Sequence, residues 1–247
     1  MKLQREGIQP TKFTLSCILK ACDNIEQCVK IHDQVIVSAL GSDIVVGTAL
    51  IDTYAKCGGL DHAHKAFDRL VEPDLASWNA IISGYAQHGQ GHEALNCFER
   101  MQNEGIYPDE VTFMFILKAC GSIGATEKGQ SVHTEIVRRG LLENDNTIGN
   151  ALVGMYAVLG MLGEAQGMFD KLQVKEVVSW NELIEGYIGY GYDCVALYAF
   201  GQMQLECILP DVVTYIYTLN ACASIGHGSM GQFLHAAIVS NGFLERD

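Results

Sequence analysis

Cysteine and histidine are the residues here with the widest chemical range, and several of them keep a fixed place. Cys22, Cys120 and Cys222 each end an Ala-Cys pair, and His32, His133 and His235 follow them ten or thirteen residues later. Thiolate and imidazole at recurring positions raise the question of zinc. The counterparts lie 98 to 102 residues apart in the chain, too far for shared ligation in an extended array, and small buried packing residues explain the cysteines better. A zinc deaminase needs His-x-Glu and a later Cys-x-x-Cys. His133-Thr134-Glu135 supplies the first half, but no two of the nine cysteines stand three positions apart. The sequence has no P-loop and no nucleophile motif. The expectation is a chain that is not an enzyme and holds no cofactor and no metal.

The elements that must position any functional side chain come from repetition. Trp78 returns as Trp180, Met101 as Met203, Pro108 as Pro210 and Ala119-Cys120 as Ala221-Cys222, each 102 residues on. A constant offset over that length is the mark of stacked supersecondary units rather than one globular core.

Three kinds of unit alternate. In the segment 75–109, Trp78, Ile81, Ile82, Tyr85 and Ala86 recur at helical spacing, and His88-Gly89-Gln90-Gly91 breaks the pattern. Ala94, Leu95, Phe98 and Met101 then line a second helix, Gly105 suits its C-cap and Pro108 closes the unit. The segment 177–211 repeats it. A longer kind spans 110–145 and 212–247, with a shorter early copy at 12–43. A third kind, of 31 residues, spans 44–74 and 146–176. Residues 1–11 match the close of a unit, so the sequence is expected to begin inside one and to lack upstream sequence. The predicted fold is all-α, a right-handed α-solenoid of helix–turn–helix repeats running over 1–247, with a groove lined by the first helices.

Charge argues in another direction. The chain carries 16 basic and 29 acidic side chains, a net charge of -13. From Leu141 onward only Lys171, Lys175 and Arg246 oppose twelve carboxylates. Such a surface disfavours non-specific binding to nucleic acid or to an anionic membrane. The absence of any apolar run of 18 residues excludes a membrane-spanning helix. An odd number of cysteines and no Asn-x-Ser/Thr acceptor point to a reducing compartment.

The units resemble pentatricopeptide repeats, in the plant class that mixes P-type, L-type and S-type motifs. The resemblance covers the whole chain and rests on Ser77-Trp-Asn-Ala-Ile-Ile-Ser-Gly-Tyr85, on Gly47-Thr-Ala-Leu-Ile-Asp-Thr-Tyr-Ala-Lys-Cys-Gly58, on the Ala-Cys and later His of the long units, and on Pro-Asp at 108–109 and 210–211. It implies a P-type end at 1–11, L-type units at 12–43, 110–145 and 212–247, S-type units at 44–74 and 146–176, and P-type units at 75–109 and 177–211. It also implies single-stranded RNA as the partner, in a mitochondrion or chloroplast. There the array would serve as the recognition part of a C-to-U RNA-editing factor, with editing-complex proteins engaged by the L-type units.

In that family the fifth and last residues of a unit read one base, and the second packs against its face. The base-reading pairs carried over are Thr48 with Asp74, Asn79 with Asp109, Asn150 with Glu176, and Asn181 with Asp211. They imply guanosine, uridine, a pyrimidine and uridine. Val45, Ala76, Thr147 and Val178 hold the packing place. Ser16, Met114 and Ile216 stand at the fifth position of the long units, and Met and Ile have no group for a base edge. Asp109 and Asp211 also precede helices, so N-capping competes as their role.

The rival function is a protein-interaction scaffold whose acidic groove binds a basic partner. Later units lose residues that earlier copies keep: Gly167 replaces Lys65, Gly201 replaces Glu99, and Cys207 replaces Gly105. A non-functional fragment is the third alternative.

Overall fold

The computed structural model describes residues 11–37, 40, 43–142, 146–240 and 242. The segment 1–10, expected to close a unit, lies outside them, as do 143–145 and 243–247 at the expected ends of two long units. Among the described residues there are fourteen helices and no strand. We number them α1 (Lys12–Lys20), α2 (Ile25–Val37), α3 (Ile44–Lys56), α4 (Leu60–Phe67), α5 (Leu75–Gln87), α6 (Gly91–Asn103), α7 (Glu110–Ser122), α8 (Thr126–Arg138), α9 (Asn146–Val158), α10 (Leu162–Lys171), α11 (Val177–Gly189), α12 (Asp193–Leu205), α13 (Val212–Ser224) and α14 (Gly228–Ser240). The fold is an all-α helical repeat array. No described helix is long and apolar enough to cross a membrane.

The residues group into two compact units, Met1–Ala119 and Cys120–Asp247. In the first, α3 packs on α1, α2, α4 and α5, and α5 packs on α6. In the second, α9 packs on α10 and α11, and α11 packs on α12 and α13. Odd-numbered helices are therefore covered on several sides, which explains their many apolar faces. In α3, Val46, Ala49, Leu50, Ile51, Tyr54 and Ala55 are all buried. Even-numbered helices bury one stripe, as in α6, where Ala94, Cys97, Phe98 and Met101 recur at i, i+3, i+4, i+7.

One turn recurs between paired helices. After α3, the Gly58 N–H donates to the Ala55 carbonyl at 2.9 Å and the Gly59 N–H to the Tyr54 carbonyl at 2.8 Å. This is a Schellman motif, and it needs Gly58 at φ 77°. The Gln90–Tyr85, Met161–Tyr156, Tyr192–Tyr187 and His227–Cys222 backbone bonds, 2.8–2.9 Å long, repeat its long arm.

Trp78 belongs to the core. It is fully buried, with its ring centroid 4.5 Å from that of Phe67 on α4. Trp180 repeats the contact with Phe169 at 4.6 Å. Odd helices approach closely where a side chain is missing. A Cβ added at Gly84 would meet the Ala55 Cβ at 2.8 Å, and one at Gly186 the Ala157 Cβ at 2.5 Å.

Candidate functional site

Each expected reading pair has one member near the start of an odd helix and the other immediately before the next odd helix. Asn79 sits on α5, and Asp109 precedes α7. The Asn79 Nδ2 donates to Asp109 Oδ1 at 3.0 Å and to Oδ2 at 3.2 Å. The second copy matches, with Asn181 Nδ2 donating to Asp211 Oδ1 at 3.1 Å. Both aspartates also cap. Asp109 Oδ1 accepts from the Thr112 N–H and Asp211 Oδ1 from the Thr214 N–H, each at 2.9 Å. Capping and pairing are thus simultaneous roles of one carboxylate.

A third residue completes each cluster. The Thr112 hydroxyl lies 2.6 Å from Asn79 Oδ1 and 2.8 Å from Asp109 Oδ1. The Thr214 hydroxyl lies 2.7 Å from Asn181 Oδ1 and 2.9 Å from Asp211 Oδ1. Both threonines are fully buried. Burial works against the charge of Asp109, but the bonds from Thr112 and Asn79 outweigh it and hold its pKa below 3.8. Asp211 is lowered too, burial being outweighed by Thr214 and Asn181. The aspartates are therefore ionised acceptors at neutral pH, and an ionised acceptor fixes the asparagine NH2 toward itself.

The other two pairs are built differently. Thr48 and Asp74, and Asn150 and Glu176, are 26 residues apart instead of 30, and among the described residues no hydrogen bond joins either pair. Asp74 accepts from the Ser77 N–H at 2.9 Å. The Ser77 and Ser179 hydroxyls donate at 2.8 Å to the backbone carbonyls of Asp74 and Glu176. Asn150 Oδ1 is buried without a hydrogen-bond partner. Val45, Ala76, Thr147 and Val178 are all exposed at the second positions of their helices. Of the long units' fifth positions, Ile216 is 50% exposed and Met114 is half-buried.

Thr112 and Thr214 were not singled out by sequence reasoning, although they keep the 102-residue offset. Sequence reasoning also missed that tyrosines take up the histidines. His32 Nδ1 pairs with the Tyr54 hydroxyl at 3.0 Å, His64 Nδ1 with Tyr85 at 2.8 Å and His133 Nδ1 with Tyr156 at 2.7 Å. The same place on α10 and α11 is filled by Tyr187 donating to Gln166 at 2.8 Å. Cys120 and Cys222 are buried and Cys22 half-buried; burial pushes the Cys120 thiol up to about 11. His235 and Cys222 line a cavity with Leu219 and His227.

Comparison with known proteins identifies the repeat at 48–122 and 150–177. The PPR repeat family model matches residues 73–122, and the PPR repeat model matches 48–73 and 150–177. The chain carries pentatricopeptide repeats. A pentatricopeptide repeat-containing protein of Arabidopsis thaliana is 36% identical over 92% of this chain, which covers 32% of that protein. A chloroplastic one from the same plant is 33% identical over 95% of the chain and 29% of its own length. A mitochondrial one is 33% identical over 90% and 35%. The chain thus spans about a third of the length of the curated relatives it matches.

Solved pentatricopeptide repeat structures share the fold. The repeat protein PPR10 from maize superposes with TM-score 0.59 at 18% identity, covering 98% of this chain and 40% of that one. PPR10 in complex with an 18-nt psaJ RNA element gives TM-score 0.53 at 19% identity, over 98% and 42%. Each cluster described above lies within a single compact unit, that at Asn79 in Met1–Ala119 and that at Asn181 in Cys120–Asp247.

Proposed function

We propose that this chain is part of a sequence-selective array that binds single-stranded RNA in a plant mitochondrion or chloroplast, as the recognition part of a C-to-U editing factor. One observation carries the reading. The asparagine–aspartate pair recurs 102 residues apart with donor–acceptor distances of 3.0 and 3.1 Å. Bonded to the aspartate through one N–H, each carboxamide keeps its other N–H and one oxygen lone pair. That combination complements uridine, which offers a carbonyl beside its N3–H. The relatives named chloroplastic and mitochondrial support the compartment. PPR10 in complex with RNA supports the ligand class.

Divided into P-, L- and S-type units as above, the array prefers G, U, any base, a pyrimidine and then U, from the unit 44–74 onward. Thr48/Asp74, Asn79/Asp109, Asn150/Glu176 and Asn181/Asp211 supply these preferences, and Met114 is silent. A net charge of -13 makes binding weak and its salt dependence shallow, because few phosphates are neutralised. Selection from a pooled RNA library tests the register: enrichment of that pattern supports it, and enrichment of no pattern contradicts it.

Ile216, half exposed on α13, favours a second role for the L-type units, contact with editing-complex proteins. A pull-down with the full chain and with Ile216→Ser distinguishes that role from RNA contact.

A further inference from the structure

We propose that Thr112 and Thr214 are positioning residues that lock the carboxamides of Asn79 and Asn181 in one orientation, and that this lock sets how sharply each site tells uridine from cytidine. The inference rests on the base-reading role proposed above and adds residues to it.

The two pyrimidines differ by an exchange of donor and acceptor. Uridine presents a carbonyl at position 4 and an N–H at position 3; cytidine presents an amino group and a bare nitrogen. An asparagine amide rotated by half a turn makes the same exchange. An amide free to turn can therefore serve either base, whereas an amide held in one orientation serves one of them.

The lock has two sides. Asp109 accepts from the NH2 of Asn79, and the Thr112 hydroxyl at 2.6 Å donates to its oxygen. The Asp109 N–H donates to the Thr112 hydroxyl oxygen at 3.2 Å, which leaves the hydroxyl proton for the amide or the carboxylate. Thr214 repeats the arrangement at Asn181, with 2.7 Å to the amide oxygen and 3.2 Å from the Asp211 N–H. Turning either amide would set its oxygen against an ionised carboxylate and its NH2 against the threonine hydroxyl that now donates to its oxygen.

The chain contains its own comparison. At Asn150 the corresponding residue is Ser179, whose hydroxyl donates instead to the Glu176 carbonyl at 2.8 Å, and the Asn150 oxygen has no partner. That amide is unlocked, and its site accepts uridine and cytidine alike. Threonine suits the locking place because its branched Cβ restricts the rotamer, while serine is free to swing its hydroxyl back to the cap.

The test uses the 247-residue chain and paired RNA oligonucleotides that differ only by U or C at the base facing Asn79. The wild type prefers U. Thr112→Val keeps the shape, loses the hydroxyl and lowers the U-to-C ratio roughly fivefold, the effect of one hydrogen bond. Thr112→Ser restores part of the ratio. Asn79→Ala, run alongside, erases the preference. If Asn79→Ala erases the preference and Thr112→Val leaves it intact, the positioning role is overturned while base reading stands. If Asn79→Ala also leaves it intact, base reading falls and takes the inference with it. Should Thr112→Val lose helicity, Thr214→Val with oligonucleotides varied opposite Asn181 decides the same question. Nuclear relaxation of the Asn79 carboxamide in the free chain gives a readout without RNA: greater mobility in Thr112→Ser supports the lock, and unchanged mobility contradicts it.

Discussion

Asn79 and Asp109 lie thirty residues apart in sequence and are joined by two hydrogen bonds, at 3.0 and 3.2 Å, from one amide nitrogen to the two oxygens of one carboxylate. The same carboxylate caps α7 through the Thr112 N–H at 2.9 Å. One side chain therefore carries a structural duty and, in the function proposed here, orients the group that reads a base.

The two duties can be separated. Asparagine caps helices about as well as aspartate. Asp109→Asn should leave the urea midpoint nearly unchanged while weakening selectivity for uridine opposite Asn79. Asp109→Ala should lower stability by about 1 kcal/mol as well. Selectivity left intact in Asp109→Asn would mean that Asp109 only caps.

Glycines test how the odd helices pack. A Cβ at Gly201 has open space around it. Gly201→Ala should raise stability by about 1 kcal/mol. At Gly84 a Cβ would stand 2.8 Å from the Ala55 Cβ. Gly84→Ala should lower stability by roughly 1–3 kcal/mol through overpacking. Urea unfolding measures both, and changes of the same sign would contradict the packing described.

Cys207 takes the place that Gly105 fills in the earlier copy. Its φ is 59°, a left-handed value, where Gly105 has 78°. Cys207→Gly should stabilise the chain by about 0.5–1 kcal/mol, since glycine relieves the Cβ clash that this backbone imposes. A drop in the midpoint would show that the thiol makes a contact worth more than the strain.

The repeat was legible in the sequence because the 102-residue offset is arithmetic, and the helices were legible because Trp78, Ile81, Ile82 and Tyr85 follow helical spacing. Of the Schellman turns, the one after α5 was foreshadowed by the break at His88-Gly89-Gln90-Gly91 and the one after α6 by Gly105. The threonine side of the clusters was hidden, because Thr112 follows Asn79 by 33 residues and belongs by sequence to the next unit. No local pattern joins residues that meet only when one helix stacks on the next. The partners of His32 and His133 were hidden for the same reason: Tyr54 and Tyr156 lie 22 and 23 residues away. Ser179 and Thr214 both follow a cap by three residues, and only the structure shows that their hydroxyls go to different acceptors.

Those histidines predict a pH dependence. Burial lowers the pKa of His133 below 6.5, and Lys171 lowers it further. Burial and Arg69 lower that of His32 as well, against the opposing charge of Asp33. Their contribution is intact above about pH 6.5; as pH falls below that value, the unfolded chain takes up the protons first and stability declines until the folded-state values are reached. His133→Gln should flatten part of that decline, because Gln166 already holds Tyr187 in the corresponding place at 2.8 Å. Midpoints measured between pH 7.5 and about 5 check this, and an unaltered slope in His133→Gln would contradict it.

The most direct measurement of base reading is competition for the 247-residue chain between two oligonucleotides that differ only at the base opposite Asn79, U in one and G in the other. The wild type should favour U. Asn79→Thr recreates the Thr48/Asp74 combination at this site and should move the preference toward G, with a shift of roughly 1–3 kcal/mol by analogy with bidentate base contacts. An unchanged ranking in a variant that keeps its helicity would show that Asn79 does not read RNA.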